Sequence, residues 1–289
     1  MNPGLNPRGE RIDIGGRSLR VVRTGTRRPG APLILLEAGA FGFSADWAVV
    51  QDLLDHTGLR SLAYDRAGLG RSDAGPSPRD GAAVVSDLEA LLAAAGEAGP
   101  YVLVGHSMAG LSVRLFAARH VGEVTGVVLV DAATPEGAED PRQASFVGAF
   151  GHIARGTAWA AGLGLLRPLS PLGDAIGVTP AAAAEKRWAF SHPGHNHWAA
   201  EEAGNWFATA AQARAAAPYP PDLPVAVITV RGQPHAEALG RDRAAPARAS
   251  RHGYEAVVGG ANHATLLGQR FAREIVKAVQ HVIQAQPKG

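Results

Sequence analysis

Residues 101–110 read Tyr101-Val102-Leu103-Val104-Gly105-His106-Ser107-Met108-Ala109-Gly110. An apolar, β-branched run stops abruptly, and small residues crowd around one serine. Leu111 to Arg119 follows at once and suits a helix. The order is strand, sharp turn, helix, with Ser107 at the apex. So tight a turn brings backbones close together and needs small neighbours. It lifts the hydroxyl off the end of a sheet. It also sets the Met108 N–H beside that hydroxyl, near the positive end of the new helix. Ala109 stands where such turns favour glycine, and Gly110 comes one place later. Alanine is the smallest replacement, so the turn survives. The plain alternative is a serine buried in a turn; the flanking strand and helix favour an activated nucleophile.

The same alternation extends both ways. Arg11 to Thr24 alternates around Gly15-Gly16 and reads as a hairpin. Pro32 to Leu36 is a buried strand opening into the small-residue loop Glu37-Ala38-Gly39-Ala40. Trp47, Val50 and Leu54 share a helical face. Arg60 to Tyr64 is a strand, and Val84, Val85, Leu88, Leu91 and Leu92 mark a helix stopped by Gly96. Val127 to Val130 is a strand ending at Asp131; Val225 to Val230 and Tyr254 to Val258 are two more. Leu267, Phe271, Ile275, Val279 and Val282 give a C-terminal amphipathic helix. Strands alternating with helices predict an α/β fold: a mostly parallel sheet of about eight strands with helices on both faces.

One stretch breaks the pattern. Residues 132–222 are proline-rich and helical in pieces, with no convincing strand. Thr179-Pro180 reads as a cap and a first helical proline. Trp159, Trp188, Trp198 and Trp206 all lie here. The expectation is a core of residues 1–131 and 223–289 with a helical cap or lid inserted at 132–222. Such a cap sits over the carboxyl ends of the strands, where these sheets bind ligands. The plain alternative is a helical subdomain whose tryptophans fill its own core.

Composition sets bounds. At 289 residues, 46% hydrophobic and 19% charged, the chain can bury a large core. Net charge is +2 with the basic residues scattered, which argues against a nucleic-acid partner. Without cysteine there is no thiolate nucleophile, disulfide or thiolate metal site. Met1 to Arg11 lacks an apolar signal region, so a cytoplasmic protein is expected. The longest strongly apolar stretch, between Arg155 and Arg167, is too short to span a bilayer, and no membrane partner is expected.

A serine hydroxyl needs a base. Of 11 histidines, His263 is best placed, in Gly259-Gly260-Ala261-Asn262-His263, past a strand end and before the last helix. The base needs a carboxylate to hold its tautomer. The loop after Val230, Arg231-Gly232-Gln233-Pro234-His235, contains no acid. Asp131 ends a strand at the correct sheet edge and is favoured; Glu237 and Asp242 stay open as alternatives, and an N-cap role for Asp131 is its plain reading. Two N–H donors are expected for an oxyanion: Met108, and Ala40 with Phe41 as its neighbour. Phe41, His106, Trp188 and Trp198 are expected to line the substrate site. His192, His195 and His197 cluster near two tryptophans, but without carboxylates at ligand spacing before Glu201 and Glu202. They read as a solvated or substrate-facing loop rather than a metal site, and no metal or cofactor is expected.

Taken together, Leu33 to Ala40, Ala63-Tyr64-Asp65-Arg66-Ala67-Gly68-Leu69-Gly70-Arg71-Ser72-Asp73, Val102 to Gly110, Val128 to Asp131 and Gly260 to His263 resemble the α/β-hydrolase superfamily in order and spacing. The resemblance covers the core and not the insertion. It implies a structural role for the Asp65 to Asp73 segment. Ala38-Gly39 replaces the family's frequent His-Gly, and the usual acid after the seventh strand is missing. Some members place it after the sixth strand, which corresponds to Asp131. Serine at 107 departs from the dehalogenase and epoxide hydrolase branches, which use aspartate there. The expected function is hydrolysis of a small carboxylic ester through an acyl-enzyme. The rivals are C–C bond hydrolysis or a lyase reaction on the same residues, and a non-catalytic small-molecule binder.

Overall fold

In a computed structural model the described residues are 8–137, 141–231 and 236–286; side chains at 141–144, 146 and 236–242 lie outside the described set. Eight strands form one sheet: β1 (Glu10–Asp13), β2 (Ser18–Thr24), β3 (Leu33–Glu37), β4 (Ser61–Tyr64), β5 (Tyr101–His106), β6 (Val124–Val130), β7 (Val225–Val230) and β8 (Tyr254–Val258). Their order is β1-β2-β4-β3-β5-β6-β7-β8. Among the described residues the β1–β2 and β2–β4 pairs are antiparallel, and the remaining pairs are parallel. The helices are α1 (Ala48–His56), α2 (Gly81–Ala94), α3 (Ala109–Arg119), α4 (Pro141–Gly162), α5 (Pro180–Ser191), α6 (Pro193–Gly204), α7 (Trp206–Ala215), α8 (Ala236–Ala249) and α9 (Ala272–Gln284).

The central strands are mostly apolar because both faces are covered, with the polar Glu37 and His106 at the ends of β3 and β5. β3 and β5 are buried along their whole length. One core layer holds Trp47, Val50 and Leu54 with Ile275, Val279 and Val282 of α9. The other holds Val85, Leu88, Leu91 and Leu92 of α2 with Leu111 and Phe116 of α3. The N-terminus of α2 is capped by Asp80, whose Oδ1 accepts from the Ala83 N–H at 3.0 Å. Gly96 follows that helix in the left-handed region, at φ 65°. Leu267 and Phe271, read from sequence as part of the last helix, precede it instead: Leu267 ends a 3-10 turn and Phe271 is the N-cap of α9.

Helices α4 to α7 lie between β6 and β7, where the alternation breaks. They are joined to the sheet layers by polar links as well as apolar contact. Arg20 of β2 pairs with Glu185 of α5, and Lys186 pairs with Asp46. Thr209 Oγ1 and Gln212 Oε1 of α7 accept from the Gly81 and Ala82 N–H groups at 2.9 Å each. Trp206, Ala210 and Ala213 of α7 belong to the same core layer as α2 and α3. The tryptophans therefore have different fates: Trp206 is core, whereas Trp159 stands exposed.

The turn after β5 depends on two close approaches. A Cβ on Gly105 would meet Val113 Cγ2 at 2.8 Å, and one on Gly110 would meet the Ala133 carbonyl oxygen at 2.3 Å. The glycine this turn needs after the serine is thus Gly110, and Ala109 is accommodated, fully buried. Gly110→Ala should cost roughly 1–3 kcal/mol, because the opposing atom is backbone and cannot swing away. Urea unfolding checks this, with Gly148→Ala, which meets nothing within 4 Å, as the reference substitution.

Candidate active site

His106 of β5 pairs in register with Val130 of β6, so the next residues, Ser107 and Asp131, leave the sheet side by side. Both take a left-handed backbone, at φ 57° and 44°. Neither is glycine, and such conformations are costly and concentrate at functional sites. The Ser107 N–H donates to the Val130 carbonyl at 3.2 Å, and the Asp131 N–H to the Ile228 carbonyl at 2.7 Å. The sheet edge therefore holds both residues by their backbones.

His263 comes from the loop after β8, across β7, to the same edge. Its Nδ1 lies 2.5 Å from Asp131 Oδ2, and its side chain is 42% exposed. The second carboxylate oxygen, Oδ1, accepts from Arg243 Nη1 of α8 at 2.6 Å. Burial alone raises the Asp131 carboxyl, but the His263 hydrogen bond and the Arg243 charge outweigh it and hold the group below the ordinary carboxylate range. Asp131 is thus a buried anion with both oxygens occupied. Glu237 and Asp242, the alternative acids, fall among side chains outside the described residues.

His106 braces this arrangement from below. It is buried, and its Nε2–H donates to the His263 carbonyl at 2.9 Å. The two rings stand 4.6 Å apart. Burial, then the neighbouring His263, push His106 down to about 3, so it stays neutral. Gly39 packs against the other side of the turn, where a Cβ would meet Ser107 Cβ at 2.7 Å. The loop carrying Ala40 and Phe41 thereby abuts the serine. Phe41 itself is left-handed, at φ 59°, and sets its ring edge-on to Phe150 of α4 at 5.8 Å.

That loop is gripped by residues whose mutual pairing pattern reading did not assign. Arg66, fully buried, donates through Nη1 to the Ala38 carbonyl at 2.5 Å and through Nη2 to the Gly39 carbonyl at 2.9 Å. The same guanidinium holds Glu37 Oε1 at 2.7 Å and Glu202 Oε2 of α6 at 2.8 Å. Tyr64 closes the network by donating to Glu37 Oε2 at 2.6 Å. His195 of α6 accepts from the Gly70 N–H at 3.0 Å, and its other nitrogen meets the Phe41 carbonyl. Glu202 follows His195 by two helical turns, which places both on one face of α6; that spacing was available in the sequence. Arg243 carried no such signal.

The histidine cluster is not the solvated or substrate-facing loop expected from sequence. His192 is the N-cap of α6, and His195 is buried because its ring replaces water for two backbone groups. Only His197 is exposed. No group of three metal-ligating side chains occurs among the described residues. Trp188 lies under the Arg71 guanidinium at 3.8 Å and beside His192 at 4.3 Å. The Trp198 indole packs on Gly68, leaving no room for a side chain there. The contacts that fix these two tryptophans thus run to the Asp65 to Asp73 segment. That segment is structural throughout: Asp65 accepts from the Ser44 and Arg71 N–H groups at 3.0 and 2.8 Å.

Residues 32–157 match the family described as alpha/beta hydrolase fold. This chain has the alpha/beta hydrolase fold. The alpha/beta hydrolase enol-lactonase from Burkholderia xenovorans superposes with a TM-score of 0.66 at 22% identity, covering 94% of this chain and 100% of that one. A thermophilic esterase from Thermogutta terrifontis gives 0.67 at 21%, covering 94% and 98%. A putative epoxide hydrolase from Pseudomonas aeruginosa gives 0.73 at 18%, covering 98% of each chain. At these identities the likeness is one of fold. Among curated sequences, a probable transporter, efuK, of Hormonema carpetanum is 41% identical over 128 residues, 43% of this chain and 18% of that protein. An AB hydrolase superfamily protein of Gibberella zeae is 40% identical over 92 residues, 32% of this chain and 28% of that one. The matched regions thus span less than a third of these relatives. No helix among the described residues is long and apolar enough to cross a membrane.

The buried histidines make stability pH-dependent. His195 is held at about 3, by burial first and then by Lys186. Folded His106 and His195 stay neutral where the unfolded imidazoles, near 6.5, take up protons. Stability is fully present above that value and falls as the pH drops from 6.5 toward 3, by up to about 1.4 kcal/mol per pH unit for each histidine. Urea midpoints at about pH 7.5 and about pH 5 should differ accordingly; equal midpoints would contradict it. Separately, Glu202→Gln should destabilise by about 3 kcal/mol or more, since it strands part of a buried guanidinium charge. Glu201→Gln, on the half-buried neighbour, should stay within about 0.5 kcal/mol.

Proposed function

We propose that this chain hydrolyses a small carboxylic ester through an acyl-enzyme. The observation that carries the reading is the 2.5 Å hydrogen bond between His263 Nδ1 and Asp131, residues 132 apart in sequence. With Nδ1 committed to a buried anion, Nε2 is the nitrogen free to take a proton. Ser107 Oγ attacks the ester carbonyl while His263 Nε2 accepts the serine proton. The Met108 N–H, at the N-cap of α3, and the Ala40 N–H donate to the oxyanion as it forms. The tetrahedral intermediate then collapses. The C–O bond to the alcohol breaks, and His263 gives its proton to the departing oxygen. Water, deprotonated by the same imidazole, then adds to the acyl carbon; the bond to Ser107 Oγ breaks, the acid leaves, and His263 returns its proton to Oγ.

Asp131 orients His263 and stabilises the imidazolium, remaining ionised throughout. Phe41, Trp188 and Trp198 supply apolar walls, which favour esters with apolar or aromatic groups. His106 serves by bracing the His263 loop. The names of two fold neighbours, an enol-lactonase and an esterase, accord with acyl chemistry. The serine at 107 sets the chain apart from enzymes that use aspartate at that turn.

A fluorophosphonate probe should label Ser107, and p-nitrophenyl acetate should be turned over. Ser107→Ala should abolish labelling and lower kcat by about 10³-fold or more. A folded Ser107→Ala variant that keeps its rate would overturn the reading. Asp131→Asn should keep the fold and lose about 10⁴-fold in kcat. Glu237→Gln and Asp242→Asn should stay within about tenfold.

A further inference from the structure

Nine large apolar side chains are exposed among the described residues, and six of them fall in one stretch of about twenty residues: Ile153, Trp159, Leu163, Leu165, Leu169 and Leu172. Trp159 and Leu172 are each 67% exposed. This stretch is the outer side of α4 and the coil and 3-10 turn (Ser170–Gly173) that follow it. Isolated exposed apolar residues are ordinary, but a contiguous run is not. The segment has an inner face as well: Ala154 is buried and packs with Ala200 and Ala203 of α6, beside Phe41 and Phe150. The exposed side is therefore not the side that docks on the protein.

Charge narrows what can cover it. From residue 141 to 173 the chain carries Arg142, Arg155 and Arg167 and no aspartate or glutamate. The first acid beyond, the half-buried Asp174, accepts from the Ile176 and Gly177 N–H groups of its own turn at 3.2 and 3.0 Å. A second copy meeting this face through a two-fold axis would set arginine against arginine. An anionic bilayer meets both features at once. Leucine and tryptophan enter the boundary between headgroups and acyl chains, while arginines reach the phosphates.

We infer that the outer face of α4 and its following turn, through Trp159, Leu163, Leu165 and the flanking Arg155 and Arg167, docks this protein on an anionic lipid surface. This departs from the expectation of no membrane partner, which rested on span length alone; lying on a bilayer requires no spanning helix. Docking on that face leaves α4 between the lipid and Phe41, one helix diameter of about 10 Å. The inference stands on exposure and charge and does not depend on the ester reading.

The test uses the full chain and sedimentation with vesicles of phosphatidylcholine alone or mixed with phosphatidylglycerol. Binding to the mixed vesicles should be roughly tenfold or more tighter than to the neutral ones. It should weaken as salt rises from about 0.05 M to about 0.5 M. The double variant Trp159→Ser, Leu163→Ser should lose binding about tenfold while its rate on p-nitrophenyl acetate stays unchanged. Arg155→Glu with Arg167→Glu should lose the preference for anionic vesicles. Trp159→Phe should retain binding but lose the shift of tryptophan emission to shorter wavelength that wild type gives on vesicles. Absence of binding, or equal binding to neutral and anionic vesicles, overturns the inference. So does a concentration-dependent dimer in sedimentation velocity that the Trp159→Ser, Leu163→Ser variant dissociates, since a second copy then covers the face.

Discussion

The buried guanidinium of Arg66 is the constraint on which the rest of the site depends. A cation with no access to water is tolerated only where its donors are met and its charge is balanced. Here two carboxylates and two backbone carbonyls meet it. Glu37 comes from the end of β3, Glu202 from α6, and the carbonyls belong to the loop beside Ser107. One side chain thus fixes the sheet edge, the inserted helices and the Ala40 loop relative to one another. Burial raises the Glu37 carboxyl, and Arg66 opposes that rise. A pair of this kind adds little net stability against an apolar core, but removing one partner strands the other. Its value is geometric.

Helices α6 and α7 are therefore firmly attached to their neighbours. Helix α6 contributes Glu202 to Arg66 and His195 to Gly70 and Phe41. Helix α7 caps α2 and enters the core layer beneath it. Any motion that opens the site must leave these links in place or break buried polar contacts. Among the described residues, the links just named do not involve the outer side of α4 or the turn after it. Those are the same residues that carry the exposed leucines and Trp159.

The two strained residues at the sheet edge follow from register. Because His106 and Val130 are paired, a turn directly after each strand sets Ser107 and Asp131 at one level. Small residues make the turns possible: Gly39, Gly105 and Gly110 sit where a Cβ would strike a neighbour. Backbone hydrogen bonds from Ser107 and Asp131 to the adjacent strands hold conformations that would otherwise relax. Catalytic geometry of the kind proposed needs such preorganisation, since donors and nucleophile must not reorganise during reaction.

Much of this was legible in the chain alone. The strands, most helices and the Ser107 turn are local features, written in hydrophobic period and in small residues at a sharp bend. So was the chain order of Ser107, Asp131 and His263, which follow β5, β6 and β8. The partners were not. Nothing near Asp131 in sequence announces Arg243, and nothing near Arg66 announces Glu202, 136 residues away. The tryptophans of the insertion looked alike, yet one joins the core, two are held against the Arg66 to Arg71 turn and one faces outward. The sequence by itself determined the elements, their order and the turn that presents the serine, because backbone sterics and side-chain period act over a few residues. Which charges meet, which face of α6 grips the loop and which side of α4 stays uncovered were decided by tertiary structure alone, because burial and ion pairing depend on distances between segments far apart in the chain.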